Sequence, residues 1–226
     1  MTSSELAYAA VRNRLAAAHH PAGKPAQLLA VSKTQPEQAV RTLAGLGQRH
    51  FGENYVQEAL AKQVELADLP LTWHLIGPLQ SNKCREVAQH FHWLQSLDRT
   101  KLIEPLDRYR PAGMAPLNVL IQVNIDDEGS KSGCAPAEVG ALATAIAAAP
   151  RLCLRGLMAI PEPSPDVERR RLAFRRMHAL FEALAGDHSG IDTLSMGMSE
   201  DFELAIAEGA TMVRVGSALF GPRKPA

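Results

Sequence analysis

Lys33 ends the apolar run Leu28-Leu29-Ala30-Val31-Ser32, which places its amine at the mouth of a strand among apolar neighbours. Desolvation there disfavours the ammonium form, and a neutral lysine amine is a nucleophile able to condense with a carbonyl. Ser195-Met196-Gly197-Met198-Ser199 and Gly216-Ser217-Ala218-Leu219-Phe220-Gly221 combine glycines, which let backbone approach a ligand, with serine hydroxyls that donate to it. That is the composition of an anion cradle. Glu200 and Asp201 follow the first of these segments and would repel an anion from a helix start. Gly216 and Ser217 are therefore assigned the amide contacts, and Ser195 and Ser199 hydroxyl contacts. Arg214 alternates with Val213 and Val215, so if the valines face outward its guanidinium points inward, where a permanent charge needs a ligand or a partner. Taken singly, Lys33 reads as a surface lysine and each glycine–serine loop as turn chemistry. Together they describe a pocket for a phosphorylated aldehyde.

These residues have to be carried by a scaffold that brings strand ends together. Short apolar runs at 27–32, 49–52, 72–77, 93–97, 118–124, 152–160, 193–195 and 211–215 each have strand length, and each precedes an amphipathic, helix-like segment. Helix starts are signalled at Pro36-Glu37, Asn54, Ser81, Asp98, Pro136, Pro165, Ser199 and Ser217. Eight strand–helix units force parallel strands, and the reading favours a closed (β/α)8 TIM barrel over an open sheet. Thr2-Ser3-Ser4-Glu5 has the form of a capping box. It opens an extra N-terminal helix ending near His20-Pro21, expected to cover one end of the barrel. No linker or low-complexity tract divides the chain, so residues 1–226 read as a single domain.

In such a barrel the ligand face is the one at the strand C-termini. Besides those named above, the residues falling there include Asn54, His74, Asp98, Asn124 and Met158. His74 reads as a stacking or hydrogen-bonding neighbour of a ligand rather than a base, and Met196 as a packing contact for it. His90 and His92 lack a carboxylate or thiol to complete a metal set and read as solvent-facing; no metal site is expected. His19-His20 suits a helix end. The arginines between Arg169 and Arg176 read as a solvated basic face, since Leu172, Phe174, Met177, Leu180 and Phe181 share their segment. Of Cys84, Cys134 and Cys153, Cys134 is expected to be the more exposed.

The 226 residues carry 24 basic and 24 acidic side chains, a formal net charge of zero, so no overall field draws the chain to nucleic acid or anionic lipid. Three widely spaced cysteines make neither a disulfide framework nor a zinc cluster and point to a reducing, cytoplasmic setting. No run approaches the ~20 apolar residues of a membrane span and no export signal is recognisable. A monomer is expected.

With an aldehyde carbon at Lys33, phosphate on the last two loops and Arg214 at a ring nitrogen, the pocket suits pyridoxal 5′-phosphate. The segments 30–34, 51–58, 73–83, 156–160, 194–199 and 215–221 (among them Ala30-Val31-Ser32-Lys33-Thr34 and Gly52-Glu53-Asn54-Tyr55) resemble the pyridoxal phosphate homeostasis protein family, in order along nearly the whole chain. The resemblance implies a single barrel similar to the N-terminal domain of alanine racemase. It implies the cofactor held as an internal aldimine on Lys33, phosphate held by Ser195, Ser199, Gly216 and Ser217, Arg214 at the pyridine nitrogen, and Asn54, His74 and Met196 lining the ring. It implies no established turnover, hence no catalytic residues, and apo forms of pyridoxal phosphate enzymes as partners. Residues 126–133 also match the family, and Lys131 is there a second amine near the mouth. Two enzymatic alternatives remain: a racemase or other amino-acid-transforming enzyme on the same cofactor, and a Schiff-base aldolase on a phosphorylated sugar. Racemisation needs acid/base groups on both faces of the substrate carbon. The chain's tyrosines, Tyr8, Tyr55 and Tyr109, are expected away from the opposing face, and no second domain is expected after the eighth unit to supply one.

Overall fold

A computed structural model describes residues 2–23, 25–126 and 132–221. Eight parallel strands close into one barrel in chain order: β1 (Gln27–Val31), β2 (His50–Glu53), β3 (Thr72–Leu75), β4 (Trp93–Leu97), β5 (Leu117–Val123), β6 (Leu152–Ala159), β7 (Thr193–Ser195) and β8 (Met212–Val215). Closure is made by β1, which pairs with β2 through Val31 and Gly52 and with β8 through Leu29 and Arg214. The expected barrel and its eight strands are all present.

Strand alternation sorts side chains into two layers. Val213, Val215, Leu94, Val119, Ile121, Trp73 and Leu75 join the large apolar cluster beneath the helices. Trp93, Leu120 and Met158 form a separate small cluster. With them His74, Gln95, Ser195 and Arg214 are buried along the alternate, inward positions. A barrel interior this polar is affordable only if each group finds a partner.

The outer helices are α2 (Glu37–Gly45), α3 (Val56–Glu65), α4 (Cys84–His90), α5 (Ile103–Tyr109), α6 (Val139–Ala147), α7 (Val167–Asp187), α8 (Phe202–Ala207) and the single turn α9 (Ser217–Phe220). Several begin later than the sequence suggests. Short 3₁₀ turns at Ser81–Lys83, Thr100–Leu102 and Pro136–Glu138 precede α4, α5 and α6. The cap of α7 is Asp166, whose carboxylate accepts from the Glu168 and Arg169 amides. The extra length lies in the strand-to-helix loops, the ones that build a ligand face.

The first helix, α1 (Ser3–Ala17), has the expected capping box but does not cover a barrel end. Tyr8 reaches Gln48, which bonds the Leu28 and His50 carbonyls at the starts of β1 and β2. Arg14, two turns on, binds Glu203 and the Ser199 carbonyl at the opposite end. The helix thus runs along the wall, packed on α2 and α9 at the seam the one-turn α9 leaves thin. Beyond it His20 is buried, its Nδ1 accepting from the Ala22 amide, so it packs under the chain rather than serving the helix dipole.

Candidate functional site

The C-terminal mouth of the barrel opens into a cavity of about 770 Å³ bordered by Lys33, Asn54, Ser199, Arg214, Gly216 and Ser217. Six of the nine residues assigned from sequence therefore meet around one space. Ser195, His74 and Met196 do not border it. All three are fully buried: Ser195 and His74 occupy inward positions of β7 and β3 one layer below the floor, while Met196, just after β7, packs in the apolar cluster beneath the helices.

Lys33 sits on a tight turn after β1. The next residue, Thr34, has φ of +63°, the non-glycine residue in the left-handed region among those described. Its amide donates to Glu58 Oε1 at 2.6 Å. Lys62 Nζ joins Glu58 (2.7 Å), Glu53 (2.8 Å) and the Ser32 carbonyl (2.7 Å), while the Ser32 hydroxyl donates to Glu53 at 2.6 Å. The turn carrying Lys33 is thus tied from behind by a buried lysine between two carboxylates. Burial pushes Glu53 above the usual carboxylate range, opposed by Lys62 and the Ser32 bond. Next to it, Asn54 approaches Gly77 so closely that a Cβ there would lie 2.2 Å from the Asn54 carbonyl oxygen.

On the far side, Ser199 Oγ accepts the amides of Gly216 (3.3 Å) and Ala218 (3.4 Å), joining the loops after β7 and β8 and leaving its own proton for a ligand. Gly197, with φ of +91°, brings the first loop against α8, where a Cβ would meet Ala205 Cβ at 2.5 Å. Asp201, read from sequence as a repulsive acid, turns one oxygen onto the Met198 amide and so shapes that loop. Arg214 confirms the inward orientation expected from alternation. It donates to the Ser195 carbonyl (2.8 Å), the Ser195 hydroxyl (2.7 Å) and the Ala159 carbonyl (2.7 Å). Burial lowers its pKa to about 10, with Asp201 acting in the opposite sense.

Below the floor the Ser195 hydroxyl donates to Gln95 Oε1 (2.8 Å), Gln95 Nε2 lies 3.0 Å from His74 Nδ1, and His74 Nε2 lies 3.0 Å from His50 Nδ1. His74 stacks on Trp93, ring centroids 5.1 Å apart. Burial holds His74 well below its usual range, and His50 and His92 push the same way.

Sequence reasoning missed Thr34, Glu58, Lys62, Gln95 and Arg170, and gave Glu53, which falls with Asn54 at a strand end, no role. A polar residue at an alternate position of an apolar strand was the available signal for Gln95. Arg170, one of the basic run read as a solvated face, borders the cavity with its Nε buried and without a hydrogen-bond partner, whereas Arg169, Arg171 and Arg175 pair with Glu162, Glu168 and Glu208. Cys134 is buried, not exposed: its amide and carbonyl bond Gln122 and Asn124 beside β5, and burial pushes its thiol up to about 12. Cys153 is the half-buried one. Lys131 lies outside the described residues. Among the described residues no cluster of three metal-ligating side chains occurs, and no helix is long and apolar enough to cross a membrane.

A parallel barrel thus brings a lysine after β1, a buried arginine on β8 and a serine–glycine pair of loops after β7 and β8 to one cavity. The chain belongs to the alanine racemase N-terminal domain family, whose sequence model matches residues 6–224, and within it to the pyridoxal phosphate homeostasis proteins. It is 59% identical over 196 residues to the pyridoxal phosphate homeostasis protein of Pseudomonas aeruginosa, spanning 87% of this chain and 84% of that one. Identity to the Escherichia coli K12 protein of the same name is 51% over 221 residues, 95% and 94% of the two chains. The structure of PipY from Synechococcus elongatus without PLP superposes with a TM-score of 0.87 at 41% identity, covering 97% of this chain and all of that one. PipY with PLP bound gives 0.85 at 38% identity, with the same coverage. The alanine racemase of Corynebacterium glutamicum, at 22% identity and a TM-score of 0.65, shares the fold over 89% of this chain and 58% of its own.

Proposed function

We propose that this protein holds pyridoxal 5′-phosphate at the barrel mouth and acts in the homeostasis of that cofactor, storing, buffering or delivering it to apo enzymes without turnover of its own. The observation that carries the reading is the convergence of Lys33, Arg214 and the Ser199–Gly216–Ser217 cradle on one cavity. The residues fit the cofactor. Its aldehyde condenses with a lysine amine with release of water, giving a carbon–nitrogen double bond that absorbs in the visible. Lys33 supplies that amine; Ser199, Ser217 and the Gly216 amide take the phosphate; Asn54 borders the ring. Arg214 faces the pyridine nitrogen and, being positively charged, disfavours its protonation, which weakens the ring as an electron sink. Ser195 and His74 support this shell from beneath, and Met196 from the apolar cluster under the helices.

The absence of turnover is favoured by the same geometry. Tyr8 lies at the opposite end of the barrel, Tyr55 is 60% exposed at the start of α3, and Tyr109 is stacked between Arg85 and Arg108. None of the three borders the cavity, so none supplies the second face that racemisation requires.

The test is borohydride reduction of the protein incubated with pyridoxal phosphate, followed by peptide mapping. The label is expected on the peptide containing Lys33, and a label confined to Lys131 or another lysine overturns the assignment. Exchange of amino-acid α-protons in deuterated buffer is expected to stay at background; exchange at enzymatic rates that Lys33→Ala abolishes would establish the racemase reading instead.

A further inference from the structure

We propose that Gln95, on β4 beneath the cavity floor, is a positioning residue for the cofactor site that acts by fixing Arg214 through the Ser195 hydroxyl. The proposal rests on the reading of the mouth as a pyridoxal phosphate site.

Arg214 is the end of the chain whose polarity is not negotiable, because a guanidinium only donates. Its bond to Ser195 Oγ (2.7 Å) obliges that oxygen to accept, so the single hydroxyl proton goes on to Gln95 Oε1 (2.8 Å). Gln95 is thereby oriented with its amide nitrogen toward His74 Nδ1 (3.0 Å), which must accept. The proton of His74 then sits on Nε2 and points to His50 Nδ1 (3.0 Å). Every donor in the series Arg214, Ser195, Gln95, His74, His50 faces away from Arg214, so every dipole presents its negative end toward the guanidinium. The three groups that Arg214 bonds are all uncharged. A buried cation is commonly balanced by a carboxylate; here aligned neutral dipoles take that place. Gln95 is the link that makes the alignment obligatory, since it is fully buried, its oxygen accepts from Ser195, and its nitrogen, on the other side, donates to His74 and, with its second hydrogen, to Met212 Sδ (3.1 Å). An arginine balanced in this way keeps its full charge toward the cavity, where a carboxylate partner would blunt it.

The test compares the wild-type protein, Gln95→Met, Arg214→Gln and the double variant, each titrated with pyridoxal phosphate and scanned for the pH midpoint of the visible band. Gln95→Met, nearly the same shape, is expected to weaken cofactor binding roughly tenfold, the scale of one hydrogen bond to a charged group. It is also expected to move the band's midpoint in the same direction as Arg214→Gln. In the Arg214→Gln background it should add nothing, because its effect runs through Arg214. A purely structural role would lower thermal stability and leave the midpoint alone. If Gln95→Met does not fold, Ser195→Ala carries the test, since it removes the hydroxyl through which the two residues communicate, and the same midpoint shift is expected. A midpoint equal to wild type in a variant that binds the cofactor, or full additivity with Arg214→Gln, overturns the proposal alone. Failure of the wild-type protein to bind pyridoxal phosphate at all overturns the ligand reading and this proposal with it.

Discussion

At the barrel mouth Lys33, Arg170 and Ser217 border open space, while in the layer that backs them Lys62 bonds Glu53 behind the first turn and His74, Gln95 and Ser195 join beneath the floor. The residue types overlap: each layer has a lysine, a serine and acids close by. What differs is who satisfies them. Below, donors and acceptors are matched within the protein, as burial requires, with one exception, the second carboxylate oxygen of Glu53, Oε2. Above, Arg170 Nε is left without a partner and the Ser199 proton is uncommitted, and such groups are what a ligand finds. A polar residue in a barrel is thus read by its depth as well as its type, and the upper layer is only as well placed as the lower layer holds it.

The comparison breaks if the two lysines are interchangeable in their effect on stability. Lys62→Met removes the cation shared by Glu53 and Glu58 and leaves Glu53 buried without its ion-pair partner, an expected loss of about 3–5 kcal/mol. The Glu53 carboxyl, already raised by burial, escapes by taking up a proton, so the deficit should be largest at neutral pH and shrink toward acid. Lys33→Ala, at the cavity edge, opens no core space and should cost under about 0.5 kcal/mol. Urea unfolding of both variants at pH 7 and pH 5 makes the measurement, and equal losses would mean that depth does not separate the two roles.

The pH profile of the unliganded protein sharpens the same contrast. His50 and His74 are both lowered, mainly by burial. A histidine whose folded pKa is depressed contributes stability that is present above its unfolded pKa, about 6.5, and is lost as pH falls below it. Stability should therefore decline on the acid side of pH 6.5 by up to about 1.4 kcal/mol per pH unit for each such histidine, from the linkage relation. His74→Gln, which can hydrogen-bond but not titrate, should remove one proton's share of that slope while leaving the alkaline side unchanged. An unaltered slope would place the titration elsewhere.

The barrel was legible because its signals are periodic: apolar runs of strand length, each followed by an amphipathic segment, survive as β1 to β8 with ends shifted by a residue or two. Lys33, Arg214, Ser199, Gly216 and Ser217 were legible because they stand where a strand ends and a loop begins. Depth was not legible. Ser195 and Ser199 lie on the same short segment and were given the same role, yet β7 stops at Ser195, so its side chain turns into the barrel and the other reaches the cavity. Nor do contacts distant in sequence declare themselves: Gln95 meets Ser195 across a separation of 100 residues. Arg170 was hidden by its neighbours, since a run of five arginines in eight positions looks uniformly solvated until the helix turns one of them inward. The misplaced first helix has a related cause, because periodicity identifies a helix but not the surface that receives it.

The finest division lies within the upper layer, between Ser199 and Ser217. Ser199 has two functions: its oxygen takes the Gly216 and Ala218 amides, and its proton remains for the phosphate. Ser217 borders the cavity and has only the second. Ser217→Ala should therefore weaken phosphate binding by on the order of 1 kcal/mol, one hydrogen bond to a charged acceptor, without altering the unliganded protein. Ser199→Ala should cost somewhat more, on the order of 1–2 kcal/mol in binding, because the loops after β7 and β8 also lose their shared tie. Both Gly216 and Ala218 bonds are long, so the loss of stability without ligand should be small, a few tenths of a kcal/mol. Isothermal titration with pyridoxal phosphate and thermal melts of the unliganded variants separate the two effects. Equal binding losses with equal melts would mean that Ser199 holds nothing in place.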